Sequence, residues 1–181
     1  MDITNLLNNK SIKPIAKRTE ISEAIRIGAI SIREIKSLSE ILDDKKLALI
    51  FEAMESVTAM NPELAYLDWL LFTQEFITSE SNSLKREASR IAGNIAFRFP
   101  DDLEVAIRKL LENAGNESTV VRWSSAYALG RIIAIPKYAE SELFDVVSDL
   151  YEREKDNGIR NRYLSGLKKA RNDRERNRKP H

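Results

Sequence analysis

The residues best suited to chemistry in this chain lie in three short stretches, where polar or aromatic side chains recur every four positions. Spacing by four places side chains on one face of an α-helix. The three sets combine cations, amides and a hydroxyl with two aromatic rings: Arg86, Arg90 and Asn94; Trp123, Tyr127 and Arg131; and Asn161, Ser165 and Lys169. If these helices lie side by side, the sets form a basic strip with aromatic rings within it. Such a strip suits phosphates with stacked bases, or an acidic peptide with an aromatic anchor.

The same residues also fit a packing role. Trp123 would then cover the seam with a neighbouring helix pair, and Arg86 and Arg90 would pair with acidic groups across the groove. Two further aromatic residues, Tyr66 and Trp69, lie in a stretch that is apolar on nearly all sides. We expect that stretch to be buried, with both rings in the core.

Several residue types that catalysis commonly needs are missing. The chain has no cysteine, which excludes disulfides, thiolate chemistry and zinc–sulfur sites. Its one histidine is the last residue, His181, so no internal imidazole can act as a general base or metal ligand. Asp68, beside Trp69, is the kind of carboxylate that a base-excising enzyme needs, but a solvated or capping aspartate is the explanation that we favour for a single Asp in a helix. We therefore expect no enzyme, no cofactor and no metal site.

Charge is unevenly distributed along the chain. The 181 residues carry a formal net charge of +1, yet residues 155–181 hold ten Lys/Arg and three Asp/Glu. A basic end can serve an acidic partner or be a solvated tail. No apolar run approaches the roughly 18 residues of a membrane span, and the first residues lack the order of a secretory signal. We expect one cytoplasmic domain with no membrane partner.

Helix signals return at one interval along the chain. Residues 117–136 carry small and apolar side chains every three or four positions, and the pattern recurs 37 residues earlier and 38 residues later. Two other sets keep nearly this interval, namely the candidate N-caps Asp44, Ser81, Ser118 and Asp156 and the prolines Pro62, Pro100 and Pro136. The pattern predicts helix pairs that stack to bury their apolar faces, at 31–60, 62–98, 101–135 and 138–171.

Val121-Arg122 followed by Ala128-Leu129-Gly130 resembles the second helix of a HEAT repeat. The similarity to HEAT-like repeat proteins covers about residues 31–170. It implies an all-α fold, a right-handed α-α superhelix of about four helix hairpins whose second helices line a concave face. It also implies a ladder of basic residues between neighbouring repeats, formed by Lys85, Arg122 and Arg160.

The resemblance also sets the expected organisation and function. One solenoid should cover residues 1–171, with an irregular helical cap at 1–30 and repeats at 31–171, followed by a disordered basic tail at 172–181. HEAT-like proteins are mostly protein-binding scaffolds, while a minority bind nucleic acid and one branch excises alkylated bases from DNA. We expect a scaffold, such as an adaptor, assembly factor or inhibitor, for a protein partner with an acidic surface or an inserted helix. Nucleic-acid binding is the alternative, an enzyme acting through carboxylates is a third, and the oligomeric state stays open.

Overall fold

The computed structural model describes residues 2–177, apart from the side chain of Asn177, and is all-helical over that range. The predicted all-α class is therefore confirmed. The α-helices of the described residues are α1 (Ile3–Asn8), α2 (Pro14–Arg26), α3 (Ile32–Ser39), α4 (Asp44–Met60), α5 (Leu67–Thr73), α6 (Asn82–Ile95), α7 (Glu104–Asn113), α8 (Thr119–Ile133), α9 (Pro136–Ala139), α10 (Leu143–Arg153) and α11 (Asn157–Asn177). Short 3₁₀ turns lie at Pro62–Leu64, Gln74–Phe76 and Ala96–Arg98. Within residues 2–177, no helix combines the length and the apolar character that crossing a membrane requires.

Side-chain caps explain where several of these helices begin. The Ser31 hydroxyl accepts the backbone N–H of Glu34, and the Glu34 carboxylate accepts the backbone N–H of Ser31, so the predicted capping box at α3 is confirmed. Ser81 caps α6 and Asp156 caps α11, each through a side-chain oxygen that accepts a backbone N–H three residues later. These caps satisfy N–H groups that the first turn of a helix leaves without partners.

Two predicted caps differ from the structure. Asp43, and not Asp44, caps α4, because its carboxylate accepts the backbone N–H of Lys46. Ser118 precedes α8 but makes no side-chain cap bond. Its own backbone N–H donates instead to the Asn116 side chain, which closes the preceding turn.

The four helices α4, α6, α8 and α11 form a continuous packed row. They follow one another in sequence order, and each packs against the next. Between α4 and α6, Glu52 pairs with Arg86, and one to two turns later along both helices Thr58 bonds to Asn94. The other two interfaces keep this order: Arg90 with Trp123 before Asn94 with Tyr127, and Trp123 with Arg162 before Gly130 with Gly166. Because later turns meet later turns, the four helices run parallel. The helices α3, α5, α7 and α10 each contact the long helix that follows them, α4, α6, α8 and α11 respectively.

Glycines allow α6, α8 and α11 to approach closely. A Cβ atom at Gly93 would lie 2.8 Å from the Cα atom of Ala128 on α8. A Cβ atom at Gly130 would lie 2.5 Å from the backbone oxygen of Arg162 on α11, and one at Gly166 would meet the backbone of Gly130. Only a residue without a Cβ atom fits at these crossings, which brings the surface residues of the three helices close together.

The aromatic core lies around α4 and α5, where the rings of Phe51, Phe72 and Phe76 contact each other. Trp69 is 6% exposed, as predicted for a core residue, but Tyr66 is 71% exposed, so its predicted burial is wrong. The helix expected around Tyr66 begins only at Leu67 and ends at Thr73. Tyr66 stands at its N-cap position, before the first turn, where its ring can point to solvent.

The last helix is longer than the sequence suggested. Residues 172–177 of the predicted disordered tail continue α11, while residues 178–181 lie outside the described part of the chain. The extension has a packing reason, because the Arg174 guanidinium lies 3.8 Å from the ring centroid of Phe144 on α10 and donates to the backbone oxygen of Ala139. The sequence pattern missed this contact because it involves a cation and not an apolar side chain.

Candidate functional site

The first part of the predicted strip, on α6, is neutralised by carboxylates. Arg86 pairs with Glu52 at 3.1 Å and also with Glu87, while Arg90 pairs with Glu55 at 2.8 Å and lies 3.8 Å from Glu87. Burial raises the pKa of Glu87, although the guanidinium groups of Arg86 and Arg90 act to lower it. The alternative expectation, that both arginines pair with acidic groups, is therefore confirmed, and neither presents an uncompensated positive charge.

Asn94 corrects the predicted strip, because this side chain is fully buried and not on the surface. Its amide nitrogen donates to Thr58 Oγ1 at 3.2 Å, and its amide oxygen accepts the Tyr127 hydroxyl at 2.5 Å. The amide thus joins α4, α6 and α8 and satisfies the polar groups that these helices bury. Asn94 cannot contact a partner without disrupting this network.

Trp123 and Tyr127 form a stacked pair on α8, with ring centroids 5.7 Å apart and planes 9° apart. The guanidinium of Arg162 lies 5.2 Å from the Trp123 ring centroid, and that of Arg131 lies 5.3 Å from the Tyr127 ring centroid. Arg90 approaches Trp123 at 6.0 Å. The rings hold the arginines in place through cation–π contacts, and Trp123 also covers the seams towards α6 and α11, as its packing role predicts.

A groove of about 480 Å³ opens over the C-terminal ends of α6 and α8 and the first half and middle of α11. Its lining consists of Gly93, Phe97, Tyr127, Gly130, Arg131, Ala134, Ile135, Pro136, Arg162, Ser165, Gly166 and Lys169. Among the described residues, no acidic side chain lines it. We call this surface the basic groove.

The three cations of the basic groove, Arg131, Arg162 and Lys169, are exposed. None of them forms an ion pair with any residue between positions 2 and 177. Arg131 donates through Nε to the backbone oxygen of Gly93 at 3.0 Å, which fixes the side chain and leaves its two Nη groups without a partner among those residues. The groove therefore offers several charged donors to an anion, and none of its described lining residues has a carboxylate that would repel the anion.

The structure brings together four of the predicted strip residues in this groove: Tyr127, Arg131, Ser165 and Lys169. Asn161 is exposed on α11 but does not line the groove. Arg162 and Phe97 were missed, because the strip was built on spacing by four alone. Spacing by three and seven places Arg162 on the same helix face as Ser165 and Lys169 and would have found it.

No catalytic arrangement is evident in the described part of the chain. Asp68 is half-buried on α5, away from the basic groove, and its Oδ1 atom has no hydrogen-bond partner among the described residues. No side chain of the described chain, that of Asp68 included, forms a cap hydrogen bond at the start of α5. Between residues 2 and 177, acidic side chains form no cluster with the composition of a metal site.

Comparison with known proteins adds information on the fold only. No protein-family model matches the chain, and no curated protein matches it. Among solved structures, it is similar to the crystal structure of an engineered protein that was a target of the Northeast Structural Genomics Consortium. That likeness has a TM-score of 0.56 and covers 96% of this chain and 98% of the engineered protein, at 12% sequence identity. An all-helical arrangement comparable to this one thus occurs in an experimental structure, and identity this low carries no information on function.

Proposed function

We propose that the chain is a non-catalytic HEAT-like scaffold that binds an acidic segment of a protein partner through the basic groove. The observation that carries this proposal is that three exposed cations line the groove and that no carboxylate from residues 2–177 lines it with them. Such a protein could serve as an adaptor, an assembly factor or an inhibitor.

The HEAT-like part of the proposal is supported by contacts that join successive helix pairs. Arg122 donates to the backbone oxygens of Asn116 and Glu117 in the turn before α8, and its Nε bonds to Glu154 before α11. Arg160 repeats this arrangement one pair later, by donating to the backbone oxygen of Glu154. These are two rungs of the basic ladder that the resemblance implies. With the parallel order of α4, α6, α8 and α11, they favour a superhelix whose second helices form the concave face.

The charges favour an acidic polypeptide over nucleic acid. A nucleic-acid strand needs a positively charged track that follows several phosphates. Here the track stops at α6, where Glu52, Glu55 and Glu87 neutralise the arginines. The face of Trp123 that a base would need is also engaged, since the ring already stacks on Tyr127 and contacts arginines. A short acidic segment requires only the groove itself.

The test uses a fluorescein-labelled oligoglutamate peptide, with single-stranded and duplex DNA oligonucleotides as competing probes, and measures fluorescence anisotropy at low and moderate salt. The groove variant carries R131A, R162A and K169A together. The control variant removes the same charge from exposed cations outside the groove: K10A, R33A and K45A. We expect the groove variant to lose peptide binding and the control variant to keep it, because the three cations that line the groove are removed only in the groove variant.

Two results would overturn this proposal. Equal loss of peptide binding in both variants would show that net charge and not the groove binds the peptide. Tighter binding of DNA than of the peptide, abolished by the groove variant alone, would establish the nucleic-acid alternative instead. Circular dichroism of both variants checks that the exposed substitutions leave the helices intact.

A further inference from the structure

The basic groove has an apolar part as well as a charged part. Phe97, Ala134, Ile135 and Pro136 line it beside the cations. Phe97 follows the last residue of α6, and the other three follow the last residue of α8. Because α6 and α8 run parallel, these apolar residues gather at one end of the groove.

Phe97 is unusual among the phenylalanines of the chain. It is 55% exposed, whereas the other five are buried or half-buried. Phe97 is one of the residues that line the basic groove. A side chain docked against this ring would remove apolar surface from water, which is favourable.

Cations line the same groove as these apolar residues. Lys169 on α11 and Arg131 on α8 line it together with Phe97 and Ile135. Arg131 is held in place by its bond to Gly93 and its contact with Tyr127. A ligand that fills the groove must therefore present an apolar group and an anionic group close together.

We propose that the basic groove recognises an acidic segment that carries one aromatic or large aliphatic side chain, which docks against Phe97, Ile135 and Pro136 while adjacent carboxylates bind Arg131 and Lys169. This inference rests on the proposed function, because it specifies the sequence of the acidic segment. A few buried anchors carry most of the affinity in protein interfaces. The apolar side chain is such an anchor, and the carboxylates give orientation and charge complementarity.

The experiment compares two fluorescein-labelled glutamate peptides of equal length and charge, one with a central phenylalanine and the other with a central alanine. Anisotropy titrations use the wild type, F97A, the groove variant, and I41A as a control that removes a large exposed apolar side chain elsewhere. We expect the phenylalanine peptide to bind the wild type and I41A about tenfold more tightly than the alanine peptide. F97A should bind both peptides alike, with the affinity of the alanine peptide.

The outcomes separate this inference from the proposed function. Equal affinity of the two peptides for the wild type, or a preference that survives in F97A, overturns the anchor. If the groove variant still loses both peptides in that case, the proposed function stands. If binding of both peptides is independent of the three cations, the proposed function and the anchor fail together.

A second readout locates the bound peptide. Trp69 is buried in the core and Trp123 is half-buried beside the groove, and they are the two tryptophans of the chain. In a W69F variant, the emission of Trp123 should therefore change when unlabelled phenylalanine peptide is added. Anisotropy that rises without any change in Trp123 emission would place the peptide elsewhere and overturn the inference.

Discussion

Replacement of the glycines between α8 and α11 by alanine should destabilise the protein in a graded order set by the geometry. An added Cβ atom at Gly130 lies 2.5 Å from the backbone oxygen of Arg162, whereas contacts of Cβ atoms shorter than 3.0 Å essentially never occur. The two helix backbones would have to separate by about 0.5 Å, since neither contains a flexible atom at this point. At Gly166 the added atom meets three backbone atoms of Gly130, all closer than 3.0 Å, so the required shift is larger.

The expected magnitude follows from two opposing terms. Overpacking of this kind costs about 1–3 kcal/mol, and more where the neighbours cannot move. Alanine recovers up to about 1 kcal/mol of this, because it favours the helix over glycine. We expect G130A to lower the free energy of unfolding by about 1–2 kcal/mol and G166A by about 3 kcal/mol. For a chain of this length, each kcal/mol corresponds to a fall in Tm of about 2–4 °C.

Urea and thermal unfolding followed by circular dichroism measure these differences. G115A is the matched control, because a Cβ atom there has its nearest neighbour at 3.8 Å and the residue is exposed. This substitution should leave stability unchanged or raise it by up to about 1 kcal/mol. If G166A were as stable as G115A, the close approach of α8 and α11 would be refuted, and with it the shape of the basic groove.

Three further predictions concern single side chains. Y127F removes the donor to the buried Asn94 amide oxygen and should lower the free energy of unfolding by about 1–3 kcal/mol; an unchanged urea midpoint would contradict that bond. Burial raises the pKa of Glu87, so its contribution to stability is greatest below the ordinary glutamate value of about 4.3 and declines as pH rises through the folded-state pKa. The stability of the wild type relative to E87Q should therefore fall as pH rises. If urea titrations showed this difference growing with pH, the raised pKa of Glu87 would be contradicted. S31A removes the capping box of α3 and should cost about 1 kcal/mol, whereas thermal unfolding indistinguishable from the wild type would show that α3 does not need the cap.

Local patterns predicted the elements of the fold well, because helix formation and capping depend on residues within a few positions of each other. The capping box at Ser31 and the cap at Ser81 are confirmed. The apolar spacing in 117–136 likewise corresponds to α8, with Val121, Ser125 and Leu129 buried. Local patterns were weakest at element ends, where one hydrogen bond decides the boundary, as with Asp43 in place of Asp44.

The candidate site was predicted only in part. Spacing by four predicted that Tyr127, Arg131, Ser165 and Lys169 share one surface, and the structure places these four residues in one groove. The same rule placed Asn94 on the surface, although it is fully buried. The rule treats a helix as having one buried face, whereas α6 lies between α4 and α8 and is covered on two sides.

The sequence by itself determined that this chain forms helices, where several of them start and the interval at which the pattern recurs, because these properties depend on neighbours along the chain. Only the tertiary structure decided which of its cations remain unpaired. Arg90 meets Glu55 and Arg86 meets Glu52 across helices whose contacts join residues some 35 positions apart, while Arg131 and Lys169 meet no carboxylate in the described chain. Charge pairing at that separation depends on how the helices pack, and this is why the basic groove could be located only in three dimensions.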